Sequence, residues 1–262
     1  MSFAQREFPG ATVYALCDGV GPFFRPREEA FPGTSAGTWA AADRLDPLAV
    51  DAQGRWMLHF HCYAIRFAAG PTVLVDAGIG PAHAPAKSWA PVPGQLPEQL
   101  ALAGIEPSSV DIVVLTHLHT DHVGWAVGDF FPNARHVLQQ AEADAVATVN
   151  PGLAGTLVEP LRAAGRLQLV DGRAPIGPGL EVLPTPGHTP GHQIALLATP
   201  GGALAVTGDL YLHALHLIDP AQEYLFDSDP VQARRSRQEL LETLGPDATL
   251  ATSHPTEPFH PA

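Results

Sequence analysis

Apolar and polar positions along this chain change rhythm over short stretches, each closed by glycine, proline or a polar turn residue. ATVYALC at 11–17 reads as a first strand, WMLHFHCYAIRF at 56–67 as a second, and TVLVDA at 72–77 as a buried third that closes on the flexible run AGIGP. Together they suggest an antiparallel ladder. The β-branched run Ile112–Leu115 is too short for a helix and predicts a central strand. RHVLQ at 135–139, short runs near 167–170, 180–183, 193–198 and 203–207, and ATLATS at 248–253 continue the strand pattern. A short helix is expected over 96–103, stopped by Gly104 in the left-handed C-terminal position. Further helical segments fall at 140–148 and 153–164. Asp229 followed by Pro230 is an N-cap with proline at the first helical position, so a helix should run through Leu244 and stop at Gly245.

An early and a later strand-rich half, each with helices, predict an α+β fold with two sheets packed face to face and helices outside. Its 262 residues suit a single domain spanning 1–262 and are ample for a core. Residues 18–55 break the rhythm, with many Gly, Pro and Phe and no period. That is long for a structureless connection, so a lid or an interface segment is expected there. Phe23, Phe24, Phe31 and Trp39 would be costly on a merely solvated loop.

Composition narrows the partners. Apolar residues make up 45% and charged residues 16%, so most of the chain should fold. The 14 basic residues face 27 acidic ones, a net charge of −13 with no basic cluster beyond Arg234, Arg235 and Arg237. This balance argues against nucleic acid, whose phosphates need a positive footprint, and against anionic membrane surfaces. Cys17 and Cys62 lie in apolar runs outside any metal or redox spacing and read as buried thiols. Neither a signal peptide nor an apolar span of membrane length is apparent, and a cytoplasmic location is expected.

Histidine is the exception: there are 13, and several cluster where strands end. In HLHTDH at 117–122, residues i and i+2 of an extended segment project to one side, so His117 and His119 can converge on one cation. The chain then turns, which lets Asp121 and His122 aim at a second. Downstream, TPGHTPGH at 185–192, TGD at 207–209 and TSHP at 252–255 each adjoin an expected strand and offer His188, Asp209 and His254. Asp209 follows the apolar run ALAVTG, where a carboxylate is expensive unless it is paired with cations; bridging two would satisfy it. No G-x-S-x-G elbow competes.

HLHTDH matches the H-x-H-x-D-H motif of the metallo-β-lactamase fold superfamily, and PGHTPGH, TGD and SH match its remaining ligand motifs in order. VLVDAGIG at 73–80 resembles its early Asp-x-Gly element. The resemblance runs over roughly 11–255 and implies an αββα four-layer sandwich of two mixed sheets, with metals at one sheet edge. It implies His117, His119 and His188 around a first ion, Asp121, His122 and His254 around a second, and Asp209 between them. Two divalent ions are expected, zinc first, with iron, manganese or cobalt as alternatives. His192 and Asp76 are expected to orient ligands by hydrogen bonds, and His213 and His216 to line the pocket.

Two adjacent cations lower the pKa of a bridging water and yield a hydroxide, so a binuclear metal-dependent hydrolase is expected, with Asp121 and Asp209 in the catalytic centre. The pattern looks most like the lactonase and organophosphate-hydrolase branch. Lactonases resembling it carry a tyrosine shortly after the bridging Asp, and here Tyr211 is the candidate. A neutral, partly apolar lactone or carboxylic ester is the expected substrate, with a phosphotriester or a β-lactam as alternatives. A glyoxalase II-like thioesterase would need basic residues for its anionic substrate, and a redox diiron member would alter the ligand set or add a domain. A homodimer joined by the 18–55 segment is a further expectation.

Overall fold

The computed structural model describes residues 3–245 and 247–262. Thirteen strands form two sheets among these residues. The first runs β1 (Ala4–Phe8), β2 (Ala11–Pro22), β3 (Met57–Phe67), β4 (Thr72–Val75), β5 (Ile112–Val114), β6 (Arg135–Gln139) and β7 (Leu167–Val170), in that spatial order. Pairing is antiparallel from β1 to β4 and parallel from β4 to β7. The second sheet has the order β13 (Phe259–Pro261), β12 (Thr249–Ala251), β11 (Gly202–Val206), β10 (Gln193–Thr199), β9 (Leu180–Pro184) and β8 (Ala174–Gly177). Only β11 and β12 are parallel in it.

Alternating side chains build three apolar layers. Val73, Val75, Ile112 and Val114 of the first sheet meet Leu180, Val182, Leu197 and Val206 of the second in a buried seam between them. The opposite face of the first sheet packs Leu74, Val113 and Leu138 against α3 (Leu96–Leu102), α4 (Gln140–Val149) and the helical stretch α5 (Pro151–Leu153) and α6 (Glu159–Ala163), which a π-helical turn joins. The outer face of the second sheet sets Ile194, Leu196 and Leu250 against Leu240 of α8 (Pro230–Leu244). The four-layer αββα sandwich follows directly from this period-two patterning. Gly104, at φ +64°, ends α3 in the expected left-handed position, and Asp229 caps α8 by accepting from Gln232 N.

The segment 18–55, expected to be a lid or an interface segment, carries regular elements that left no period in the sequence. β2 continues to Pro22, and α1 (Arg27–Ala30) and α2 (Ala36–Leu45) follow, the latter capped by Ser35. Short helices of this size bury too few residues to leave a period in the sequence. With α7 (Ala214–Ile218) they form a fourth apolar cluster around Phe31, Trp56, Leu58 and Leu215. β1, β8 and β13, absent from the sequence reading, are all sheet edges, and edge strands are held by pairing more than by a buried face.

A bulge in β2 between Cys17 and Val20 turns Asp18 inward. Its buried carboxylate accepts from Ile79 N, Gly80 N, Leu96 N and Trp125 Nε1, which pins the loop after β4 beneath the loop after β5. The connection is direct, since Ala77 N donates to His122 O and Gly124 N to Gly78 O.

His136 on β6 is buried, and neither ring nitrogen has a hydrogen-bond partner. Burial, aided by the Arg166 charge, pushes its pKa from 6.5 to about 4. In that window the unfolded chain takes up a proton that the folded chain refuses, so this group destabilises the fold as pH falls through it. The slope for one such group reaches about 1.4 kcal/mol per pH unit. Urea unfolding of His136→Phe across the window should therefore give a shallower loss of stability with acid than the parent chain, whatever its absolute stability. Parallel slopes would contradict the assignment.

Candidate metal centre

Every donor singled out in the sequence lies just beyond a strand end at one edge of the sandwich. His117, His119, Asp121 and His122 follow β5, His188 follows β9, Asp209 follows β11 and His254 follows β12. One donor atom from each of His117, His119, His188 and Asp209 lies within 4.8 Å of the others, and Asp121, His122 and His254 form a second such group. Asp209 faces both. Its Oδ2 is 3.3 Å from His188 Nε2 and 3.7 Å from His117 Nε2. Its Oδ1 is 3.1 Å from His122 Nε2 and 3.0 Å from His254 Nε2. Asp121 Oδ2 completes the second group at 3.5 Å from His122 Nε2 and 3.6 Å from His254 Nε2.

Neighbouring groups fix which ring nitrogen each histidine presents. His122 Nδ1 donates to Asp76 Oδ2 at 2.8 Å, His188 Nδ1 to Asp227 Oδ1 at 2.9 Å, and His254 Nδ1 to His59 O at 2.8 Å. Thr116 Oγ1 gives its proton to Asp76 and so accepts from His117 Nδ1 at 3.0 Å. In the neutral form of all four rings the proton is held on Nδ1, which leaves the Nε2 lone pair facing the shared space. His119 turns the other way, with Nδ1 3.0 Å from His188 Nε2. His192 has no lone pair to offer: its Nδ1 pairs with Thr185 Oγ1 and its Nε2 accepts from Asp209 N at 3.2 Å. It therefore holds the backbone of Asp209 in place. Asp76, at φ +61°, occupies a backbone region that costs most residues strain but that Asp tolerates, and from there it reaches Thr116 N, Thr116 Oγ1 and His122.

The donor chemistry fits a pair of cations. His117 Nε2, His122 Nε2 and Asp209 Oδ1 are buried and form no hydrogen bond, although imidazole nitrogens stand close to that oxygen. Asp209 is only 4% exposed, and among the described residues the cavity above it is lined by no lysine or arginine. Burial opposes a charged imidazole at His188, yet its hydrogen bonds with Asp209 and Asp227 outweigh this and raise it to about 9. At His122, burial is likewise overcome by Asp209, Asp121 and Asp76, which hold it well above the usual imidazole range. Asp209 is itself held well below the usual carboxylate range, because His122 and His254 outweigh its burial. The site calls for positive charge between its carboxylates, which His/Asp-bound divalent ions supply.

The profile of the metallo-beta-lactamase superfamily matches residues 61–254. The chain belongs to that superfamily. An N-acyl homoserine lactonase, AttM, of Rhizobium radiobacter is 31% identical over 169 residues, covering 60% of this chain and 62% of the lactonase. Metallo-beta-lactamase domain-containing protein 1 of Mus musculus is 33% identical over 175 residues, covering 66% of this chain and 55% of the mouse protein. The chain thus spans less than two thirds of the length of either relative. Among solved structures, the hydrolase AbOPH superposes with TM-score 0.80 at 23% identity, covering 99% of this chain and 92% of its own. The dizinc quorum-quenching lactonase AidC superposes with TM-score 0.75 at 20% identity, covering 98% and 92%. At these identities the superpositions speak for the metallo-beta-lactamase fold.

Around the centre the structure redistributes several expected roles. A cavity of about 550 Å³ opens on His119, Asp121, His188, Asp209 and His254, and its walls include Phe23, Phe24, Trp56, Trp89, Tyr224 and Phe226. Phe23 and Phe24, singled out in the sequence, are in this lining. Phe31 and Trp39 are not; Phe31 is buried behind the wall against Trp56 and Tyr224, and Trp39 carries the Arg27 guanidinium 4.4 Å from its ring centroid. His213 and His216 are also not in the lining. His213 Nδ1 caps α7 by accepting from Leu215 N, while His216 accepts from Leu212 N and donates to Gln222 O. Tyr211 is corrected as well: its hydroxyl donates to Arg237 O at 3.1 Å in the layer beneath α8, away from the cavity.

Sequence reasoning missed Asp227, which steadies His188, and Arg237, whose buried guanidinium donates to Pro220 O and Gln222 O and holds the segment that carries Tyr224. An Asp in a polar loop and an Arg on a charged helix give no sign of burial. Zinc-loaded protein should hold about two ions per chain by elemental analysis. His119→Ala or Asp209→Ala should lose metal, whereas His192→Ala should weaken it by about 10–100-fold, as expected of a residue acting through a ligand. Equal losses at His192 and His188 would contradict the hydrogen-bond assignment.

Proposed function

We propose that this chain is a binuclear metal-dependent hydrolase acting on a neutral, partly apolar ester-like bond, a lactone or carboxylic ester first. The observation that carries the reading is an aromatic-walled cavity, free of basic side chains among the described residues, that opens onto both donor groups. The lactonase relatives of the superfamily lend it support. Two divalent ions, zinc by preference for this His/Asp set, would supply Lewis acidity to a shared water and to the carbonyl oxygen.

In this reading His117, His119, His188 and Asp209 would hold one ion, and Asp121, His122, His254 and Asp209 the other. The remaining work falls to the chain's own residues. Phe23, Phe24 and Trp89 form one side of the wall, with ring centroids 4.2 Å apart for the Phe pair and 6.0 Å between Phe24 and Trp89. They bury an acyl or aryl group and exclude water from the reacting bond, a gain of about 0.8 kcal/mol for each methylene removed from water. Tyr224 stacks on His188, centroids 6.0 Å apart at 29°, and its hydroxyl makes no hydrogen bond to the described residues. Burial, with the Asp209, Asp121 and Asp227 carboxylates adding to it, raises the phenol pKa well above its ordinary value. Like an ordinary phenol, the hydroxyl is protonated at neutral pH and can donate to the substrate's oxygen. Asp121 lines the same cavity and is placed to carry a proton from the attacking water to the leaving oxygen. The new bond joins water oxygen to acyl carbon and the acyl carbon–oxygen bond breaks, with one water proton passing to the leaving oxygen; a lactone opens to a single hydroxy acid, whereas an acyclic ester gives an acid and an alcohol.

A neutral acyl lactone or aryl ester should therefore give a higher kcat/KM than a glutathione thioester or an RNA. Phe23→Ala and Phe24→Ala should penalise long acyl chains more than short ones, and Tyr224→Phe should lower kcat/KM by about tenfold, the worth of one well-placed hydrogen bond. A steady-state panel reads all three. A thioester or RNA as the best substrate would overturn this account of the pocket.

A further inference from the structure

Two loops deliver the three histidines of the first donor group, and Asp209 comes from a third, after β11. His117 and His119 come from the loop after β5, and His188 from the loop after β9. At their base the loops are tied together, since Gln193 N donates to Thr116 O at 2.9 Å and Gln193 Nε2 to Leu115 O at 2.8 Å. Beyond that base His119 Nδ1 lies 3.0 Å from His188 Nε2, and one buried carboxylate joins the two backbones. Glu142, in the first turn of α4, is buried, and its two oxygens divide between the loops. Oε1 accepts from Leu118 N at 2.9 Å, and Oε2 accepts from Gly191 N at 3.0 Å.

Leu118 stands between His117 and His119, and Gly191 lies three residues beyond His188. Gly191 also seats the loop directly on the helix: a Cβ there would come within 2.1 Å of Glu142 N. The separation of the loops is thus set by a steric contact and two charge-assisted hydrogen bonds to one carboxylate. Glutamine could satisfy only one of the two amides, because its NH₂ would face the other N–H. Although Glu142 borders the cavity, both of its oxygens are engaged by backbone amides.

The second group is built differently. Asp121 and His122 come from the same loop as His117 and His119, and His254 from beyond β12, so the second group draws nothing from the β9 loop that the clamp ties down. We infer that Glu142 is a positioning residue for the first donor group alone, fixing the distance between His188 and the pair His117 and His119. This rests on the reading of the seven side chains as metal ligands.

The test isolates each group and uses Zn²⁺ affinity, read by competition with a chromophoric chelator. His254→Ala leaves the first group complete, and His119→Ala leaves the second. Adding Glu142→Gln should weaken zinc by about 10–100-fold in the His254→Ala background and by less than about twofold in the His119→Ala background. Gly191→Ala, which drives a Cβ into α4, should reproduce the same asymmetry and serves if Glu142→Gln folds poorly by circular dichroism. Equal weakening in both backgrounds, or none in either, overturns the inference while the parent chain still binds two ions. A parent chain that binds fewer than two overturns the ligand reading first and the inference with it.

Discussion

A carboxylate buried between two groups of imidazoles, with no lysine or arginine among the described residues to neutralise it, governs the construction of this end of the molecule. Asp209 turns Oδ2 toward His117 and His188 and Oδ1 toward His122 and His254. Left without cations, a charge so placed costs several kcal/mol in lost hydration. The surroundings direct positive charge to it: Asp76, Asp227, Thr116 and the His59 carbonyl take the Nδ1 protons, and His192 holds the Asp209 amide. The sheets contribute by ending β5, β9, β11 and β12 at one edge, so that side chains from distant parts of the chain converge on short loops.

The aromatic wall stands on the same supports. Arg237 is buried beneath α8 and holds the carbonyls of Pro220 and Gln222, while Leu225 N donates to Ala30 O and Ser228 N to His188 O. Residues 220–228 are in this way stitched to the ligand loop on one side and to α1 on the other. Tyr224 is carried on that segment, which is why the cavity has a phenol although Tyr211, nearer to Asp209 in sequence, points into the opposite layer. No helix among the described residues is long and apolar enough to cross a membrane.

Much of this was legible in the sequence, for physical reasons that differ by element. The seven donors stood out because His and Asp at strand ends have few structural uses, and their spacing matches what convergence on cations needs. The central strands β4 and β5 were readable because both of their faces are buried, which leaves short runs rich in β-branched residues. β1, β8 and β13 were not, because edge strands owe their position to pairing. Aromatic residues in 18–55 announced burial but not its direction, so Phe23 and Phe31, eight residues apart, were assigned one role and have two. Glu142, Asp227 and Arg237 act through backbone and ring hydrogen bonds set by tertiary packing, and no local pattern marks them.

Whether Asp209 joins two cation sites is decided by anomalous diffraction at the zinc edge from zinc-loaded crystals. Two peaks are expected, each about 2.0–2.2 Å from one oxygen of Asp209. One should be completed by His117, His119 and His188, the other by Asp121, His122 and His254. A single peak, or a second one that Asp209 does not touch, would contradict that role for Asp209.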